Sequence, residues 1–270
     1  NKNNNSNNNR NKETKEEAGF IIPNVNESNS RGYSLQNGGY YLPISEFLDL
    51  TIMGDYYTNG SYGFNLSSQY KKRYKYSGNF SVRYENLIDG ERGLPGYGKS
   101  TIYNVRWSHS KDSKASPYSS LSASVNLGSS DYFRQSVNQL NTPNFLNNNL
   151  SSSVSYSKTF PGKAGVRLSL TTSMSQNTQS KEVNITLPTF TLNTGRFYPF
   201  VKEGTTKKGF IKNINFQYSS QAQNRATLPD DLLFKKGMFE NAKNGMQHTI
   251  PISTNFKAFK FFSITMGGNY

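Results

Sequence analysis

The sequence predicts an all-β fold, a transmembrane antiparallel β-barrel, from three observations. First, residues 61–86 alternate apolar and polar side chains on both sides of a basic knot, Lys71, Lys72 and Arg73. Tyr62, Phe64, Leu66 and Tyr70 fall on one face; Ser61, Asn65, Ser67 and Gln69 fall on the other. After the knot, Tyr74, Tyr76, Phe80, Val82 and Tyr84 oppose Lys75, Ser77, Asn79, Ser81 and Arg83. A period of two marks strands, and two such runs around a polar knot read as a hairpin. Second, 33% of residues are hydrophobic while 14% are aromatic, and the mean hydropathy is −0.74. Soluble domains run nearer ~45–50% apolar and disordered chains are poor in aromatics, yet this chain holds 18 Tyr and 18 Phe. A barrel wall accepts both facts, because every second residue faces lipid and the rest face a wet lumen. Third, the runs suit a tilted spanning strand of about 9–11 residues, with aromatics at 62, 70, 74 and 84 near strand ends, where interfacial girdles lie.

Along the chain, residues 1–17 are low-complexity and polar and read as a flexible linker, and residues 18–270 read as barrel. Thirteen strands are expected, near 18–24, 31–42, 47–57, 60–70, 74–86, 100–110, 118–129, 149–160, 163–175, 182–199, 210–224, 247–257 and 261–270. Pro188 and Pro251 fall inside two of them and predict bulges or unpaired positions. Turns near 71–73, 112–117, 161–162, 200–209 and 258–260 are short or moderate, whereas those near 87–99, 130–148 and 225–246 are longer. The stretch 176–181 is intermediate, and the turn at Thr58-Asn59 is tight. Short and long connections alternate, as periplasmic turns and extracellular loops do. Single-chain bacterial barrels have even strand counts, so thirteen strands are expected to be an incomplete segment of a larger barrel.

Global numbers narrow the function classes. No run of about 18 apolar residues is present, so no transmembrane helix is expected. No signal peptide opens the chain, so residue 1 is expected to be a processed or truncated start. The absence of cysteine excludes disulfides and thiolate metal sites within these residues. A net charge of +14 calls for an acidic partner, and barrel architecture favours phosphorylated lipid over nucleic acid.

Several segments in order resemble a known family. Ala18-Gly-Phe-Ile-Ile-Pro23, Ser28-Asn-Ser-Arg-Gly32, Asn37-Gly-Gly-Tyr-Tyr-Leu-Pro43 and Asp49-Leu-Thr-Ile-Met-Gly-Asp55 resemble the start of the barrel in the LptD family of outer-membrane lipopolysaccharide-assembly proteins. Arg106-Trp-Ser-His109, Ile185-Thr-Leu-Pro-Thr-Phe190, Arg196-Phe-Tyr-Pro-Phe200 and Asn244-Gly-Met-Gln-His-Thr-Ile-Pro-Ile252 are similar to later family stretches. The family barrel has about twenty-six strands, so the resemblance implies the N-terminal half of one. It also implies lipopolysaccharide received from a periplasmic bridge through an N-terminal jellyroll absent from these residues, an LptE-like lipoprotein plug, and an outer-membrane location. Lipid A is then expected to leave through a lateral gate at the first strands, weakened by prolines that match Pro23 and Pro43. The chain departs from studied members in having no cysteine for a jellyroll–barrel disulfide tether.

The residues support these roles and plainer ones. Proline has no N–H for the ladder, which weakens a seam; Pro23 and Pro43 equally serve as a strand end and a turn start. Arg83, Arg106 and Arg167 lie opposite the apolar face and are candidate lumenal contacts for phosphate or acidic sugar, or partners of lumenal carboxylates. Lys71, Lys72 and Arg73, like Lys207, Lys208 and Lys212, fall at the short-turn rim and read as solvated turns. No cofactor is expected. His109 and His248 are the only histidines, lie in separate strands and lack a nucleophilic context, so no enzyme and no zinc site is expected. Asp230 and Asp231 read as loop residues. A porin or fatty-acid transport barrel is the alternative.

Overall fold

The computed structural model describes residues 17–136, 148–162, 164–201, 209–258 and 262–270. Nearly all of the expected 1–17 linker, Lys207 and Lys208, and most of the turns expected at 200–209 and 258–260 lie outside the described residues.

The regular wall runs through β3 (Gly32–Ser45), β4 (Leu48–Tyr57), β5 (Tyr62–Lys72), β6 (Tyr76–Asp89), β7 (Gly98–Lys111), β8 (Ser119–Gly128), β9 (Asn149–Phe160), β10 (Val166–Asn177) and β11 (Glu182–Asn193), each antiparallel to the next. Residues opposed in a ladder share a face, so the register carries one face across the sheet. Tyr40, Ile52, Leu66, Val82, Val105 and Leu127 form one continuous apolar row. Leu121, Tyr156, Leu170, Phe190, Ala222 and Met246 form another on the same face. The opposite face carries Tyr41, Thr51, Ser67, Ser81, Arg106 and Asn126. Large apolar side chains such as Tyr56, Phe64 and Leu170 stand exposed on the first face, a pattern that water does not tolerate over so wide a patch and lipid does.

Three strands are each broken in two without losing register. β1 (Gly19–Ile21) and β2 (Asn24–Ser28) both pair with β3, and the numbering of partners continues across the gap. β12 (Asn215–Phe216) and β13 (Ser219–Pro229) likewise continue one another against β14 (Lys243–Thr249) and β15 (Pro251–Ala258). Gln217 N–H still donates to Pro251 O at 3.1 Å across that break. β15 pairs with β16 (Phe262–Asn269), and Ile250 exchanges backbone bonds with Tyr270. The sixteen elements are therefore thirteen strands, as the alternation predicts, in an antiparallel sheet whose first and last described strands do not meet. The two expected proline defects are present: the β10–β11 register shifts across Thr186/Thr189, around Pro188, and the last break falls at Ile250-Pro251.

Several boundaries differ from expectation. The hairpin turn sits at 73–75, with Tyr74 at φ 60, so Lys71 and Lys72 belong to β5. β11 is regular to Asn193, and the strand expected to reach 199 continues with a break: Thr194 N–H still donates to Tyr218 O, Gly195 N–H turns to Ala164 O, and Phe197 pairs antiparallel with Phe216. The strand expected at 210–224 begins as a 3₁₀ turn over Ile211–Asn213 and ends at Pro229. Connections alternate: 46–47, 73–75, 112–118 and 161–165 at one end, and 29–31, 58–61, 90–97, 129–148, 178–181 and 230–242 at the other. The two apolar clusters lie at the long-connection end. Leu87, Ile102 and Leu150 cover Tyr132 and Phe133 of a short helix, Tyr132–Gln135. Val183, Ile185, Ala226 and Leu228 are covered by Leu233.

Candidate functional site

The N-terminal edge is built around a missing pair. Against β3, β1 runs from Gly19↔Tyr41 to Ile21↔Gly39 and β2 from Asn24↔Gln36 to Ser28↔Gly32. Ile22 and Pro23 between them pair with nothing, and Pro23 has no N–H to offer. The position facing Pro23 in that register, Asn37, is in the left-handed region at φ 58, and its N–H donates to Asp55 Oδ1 of β4 at 2.6 Å. β3 is bulged there, its register to β4 shifting across Leu35/Gly38. The Pro23 ring sits over Gly38, where an added Cβ would come within 2.8 Å of Pro23 Cβ. Pro43 lies elsewhere: opposite Asp49 in the β3–β4 ladder, beyond the last β1–β3 pair and at a second register shift, Pro43/Ser45. It borders a cleft of about 1530 Å³ at the short-connection end, lined among others by Glu46, Asp49, Gln69, Lys71 and Asn79.

A buried ionic group stands behind the bulge. Arg83, on β6, binds Asp55 of β4 through Nη2, and its Nε donates to Glu85 Oε1 at 2.7 Å. All three residues are buried. Gly63 leaves the space: a Cβ there would lie 3.1 Å from Asp55 Oδ2 and 3.4 Å from Arg83 Nη2. Removing two carboxylates and a guanidinium from water costs several kcal/mol per ion, on the order of what good geometry returns, so the group specifies shape more than it adds stability.

The loop 129–136 straps onto this group. Ser136 Oγ donates to Glu85 Oε1 at 3.0 Å, Arg134 Nη2 to Thr178 O at 2.7 Å, and Asp131 meets Lys181 at 3.3 Å. Burial, and then the nearby Glu85 carboxylate, push the Tyr132 hydroxyl above its ordinary pKa. One contact path thus joins the Pro23 gap to the strap: Asn37, Asp55, Arg83, Glu85, Ser136.

The three candidate arginines share a face by register but not a cluster. Arg83 is engaged by carboxylates. Arg106 is exposed, two rows away on β7, with its guanidinium 5.9 Å from the Phe133 ring centroid. Arg167 is exposed on β10 at the short-connection end, opposite Thr159 and Asn193. The two histidines are on the apolar face of β7 and β14, with β8–β11 and β13 between them. Asp230 accepts from Ser130 in the packed loop region. Asp55, Glu85 and Ser136 were not singled out from the sequence, although Arg83 and Glu85 two apart on one polar face hint at a pair. Among the described residues, no group of His, Asp and Glu is placed to hold a metal ion, and no helix is long and apolar enough to cross a membrane.

An antiparallel sheet of thirteen strands, apolar on one face and polar on the other, with long connections, 90–97, 129–148 and 230–242, at one end, is the wall of a transmembrane β-barrel. The family model described as LptD protein matches residues 10–270, and the chain belongs to that family. The family acts in lipopolysaccharide transport and assembly at the outer membrane, as a transport protein and not as an enzyme. No curated protein matches the chain.

Proposed function

We propose that this chain is the N-terminal half of an outer-membrane translocon barrel that inserts lipopolysaccharide into the outer leaflet through a lateral gate at its first strands. The observation that carries this reading is the edge itself: an eight-pair seam interrupted at Ile22-Pro23, with the facing Asn37 N–H committed to Asp55. In hydrocarbon an unsatisfied backbone group costs several kcal/mol, so a seam with fewer bonds to break opens more readily. Pro23 is the gate residue of the β1/β2–β3 ladder, and Pro43 weakens the next one beside a polar cleft. Arg106 and Arg167, exposed on the polar face, meet phosphate or acidic sugar in the lumen, while Arg83 holds the wall in shape. The short connections face the periplasm, and residues 1–17 link the barrel to a periplasmic jellyroll that meets the Lpt bridge. A barrel of this width is too broad for its own side chains to fill, so an LptE-like lipoprotein occupies the lumen.

The test is Pro23→Ala with Pro43→Ala in the full-length protein at normal barrel levels. Slower arrival of lipopolysaccharide at the cell surface, with folding intact, supports the gate. Unchanged delivery means that these prolines only end strands. Isolation of an empty barrel without a lipoprotein favours a porin or lipid-transport barrel.

A further inference from the structure

Across β5–β8 the excess positive charge gathers at one end. The short-connection end carries Lys71, Lys72, Arg73, Lys75, Lys111 and Lys114 against Asp112, whereas the long-connection end sets Arg83, Arg92 and Lys99 against Glu85, Asp89 and Glu91. At the basic end, two adjacent rows on the apolar face form a compact patch. One row is Lys72, Tyr76 and Lys111; the next is Tyr70, Gly78 and His109. Trp107, beside His109 on the same face, lies in a row with Phe80 and Val125.

The polar atoms of this patch are linked through Tyr70. Trp107 Nε1 donates to Tyr70 Oη at 2.8 Å. Tyr70 Oη lies 2.9 Å from His109 Nδ1 and 3.5 Å from Ser108 O. With Nδ1 held against Tyr70, Nε2 is the outward nitrogen of the His109 ring. Gly78 makes this possible, since an added Cβ would fall 2.3 Å from Tyr70 Oη and the ring could not lie against the sheet. The other histidine repeats the arrangement, with Tyr218 Oη 2.8 Å from His248 Nδ1 and the rings stacked at 5.9 Å.

We propose that this patch binds an anionic phospholipid of the leaflet at the short-connection end. Its phosphate is met by Lys72 and Lys111, whose heads rest on the Phe47 ring at 4.6 Å and on Ser119 Oγ at 2.6 Å, and by the outward edge of the His109 ring, while an acyl chain lies along Phe80, Trp107 and Val125. Lysines one row outside an aromatic row match the order of a lipid, phosphate outermost and hydrocarbon beneath. The inference rests on the reading that these strands span a membrane.

Trp107 is the only tryptophan in the sequence, so it reports the site directly. The full-length protein, with any tryptophan outside these residues replaced by phenylalanine, is reconstituted in bilayers containing equal fractions of brominated phosphatidylglycerol or brominated phosphatidylcholine. Quenching of Trp107 should report an association roughly fivefold stronger for the anionic lipid per lysine engaged. Lys72→Gln with Lys111→Gln should erase that preference, His109→Gln should reduce it, and inorganic phosphate should leave it unchanged. Equal quenching by the two lipids overturns the proposal, as does displacement by inorganic phosphate, which would make the site one for free anions. Absence of quenching by either lipid overturns the membrane-spanning reading instead.

Discussion

The β6–β7 pair and the β1/β2–β3 pair are both antiparallel ladders at the same sheet's N-terminal side, and they are built in opposite ways. β6 and β7 match fourteen consecutive residues, from Tyr76↔Lys111 to Asp89↔Gly98, with no register shift. The edge ladder has three pairs, a gap at Ile22-Pro23 and five more, and the strand it leans on is itself bulged twice. Each missing bond is worth only ~0.5–1.5 kcal/mol net. The larger contrast lies in continuity: one unbroken run of backbone pairs in the wall, two short runs on either side of Ile22-Pro23 at the edge. A seam made of two short runs can open one run at a time without unzipping the ladders beside it.

The strongest way to break the comparison is Arg83→Met. It strands two buried carboxylates and should cost about 3–5 kcal/mol, loosening the Asn37 bulge and the strap at once, read as a drop in the heat or urea resistance of the folded barrel. Arg106→Met should cost roughly 0.5–1 kcal/mol, the worth of an exposed cation–π contact. Equal losses would mean that the buried group does not organise the edge.

Gly39→Ala comes next. Its Cβ would fall 1.9 Å from Ile52 O, so β3 and β4 must part, at about 1–3 kcal/mol. Gly98→Ala, in β7 with nothing within 4 Å, should be close to neutral by the same assay. A seam already loose enough to absorb the methyl group would make the two variants alike.

Period-two alternation made the wall legible: β5 and β6 have no alternative face once Tyr62–Tyr70 and Tyr76–Tyr84 are written out. Pro188 and Pro251 marked real defects for the same local reason, the absent N–H. The edge was half legible. Pro23 and Pro43 stood out, but the ladder that each one touches depends on register, and Asn37 at positive φ was hidden inside an apparently regular strand, with only Asn37-Gly-Gly39 as a hint. Asp55 and Arg83 are 28 residues apart and meet because β4 and β6 both flank β5 at Gly63; such a contact belongs to topology, not to any local pattern. Past Asn193, Phe197 marked a real pairing with Phe216, but the break at Gly195, whose N–H turns to Ala164 O, left no local signal.

A smaller effect sharpens the edge itself. Pro23→Ala restores one donor, so β1 amides should exchange roughly two- to twelvefold more slowly, matching ~0.5–1.5 kcal/mol, while β6–β7 amides stay unchanged. No change at β1 would show that the bulge, not the proline, keeps this ladder open.

The smallest expected effect is confined to the strap and separates it from the wall by pH. Tyr132 lies in the loop, buried against Leu87, Ile102 and Leu150, with the Glu85 carboxylate near it; both burial and that charge disfavour the phenolate. Arg83 and Arg106 act in the opposite sense but do not outweigh them. The closed loop therefore holds the Tyr132 proton more tightly than the open one, in which the hydroxyl titrates near its ordinary ~10. Stability of closure is complete below that value, because both forms are then protonated. It falls as pH rises through the open-form value towards the higher closed-form value, where only the closed loop still carries the proton. Proteolysis of the loop in the folded barrel should accelerate over that range, while the β6–β7 amides keep their protection. Tyr132→Phe should remove the pH dependence, and a slope unchanged in that variant would assign it to another group.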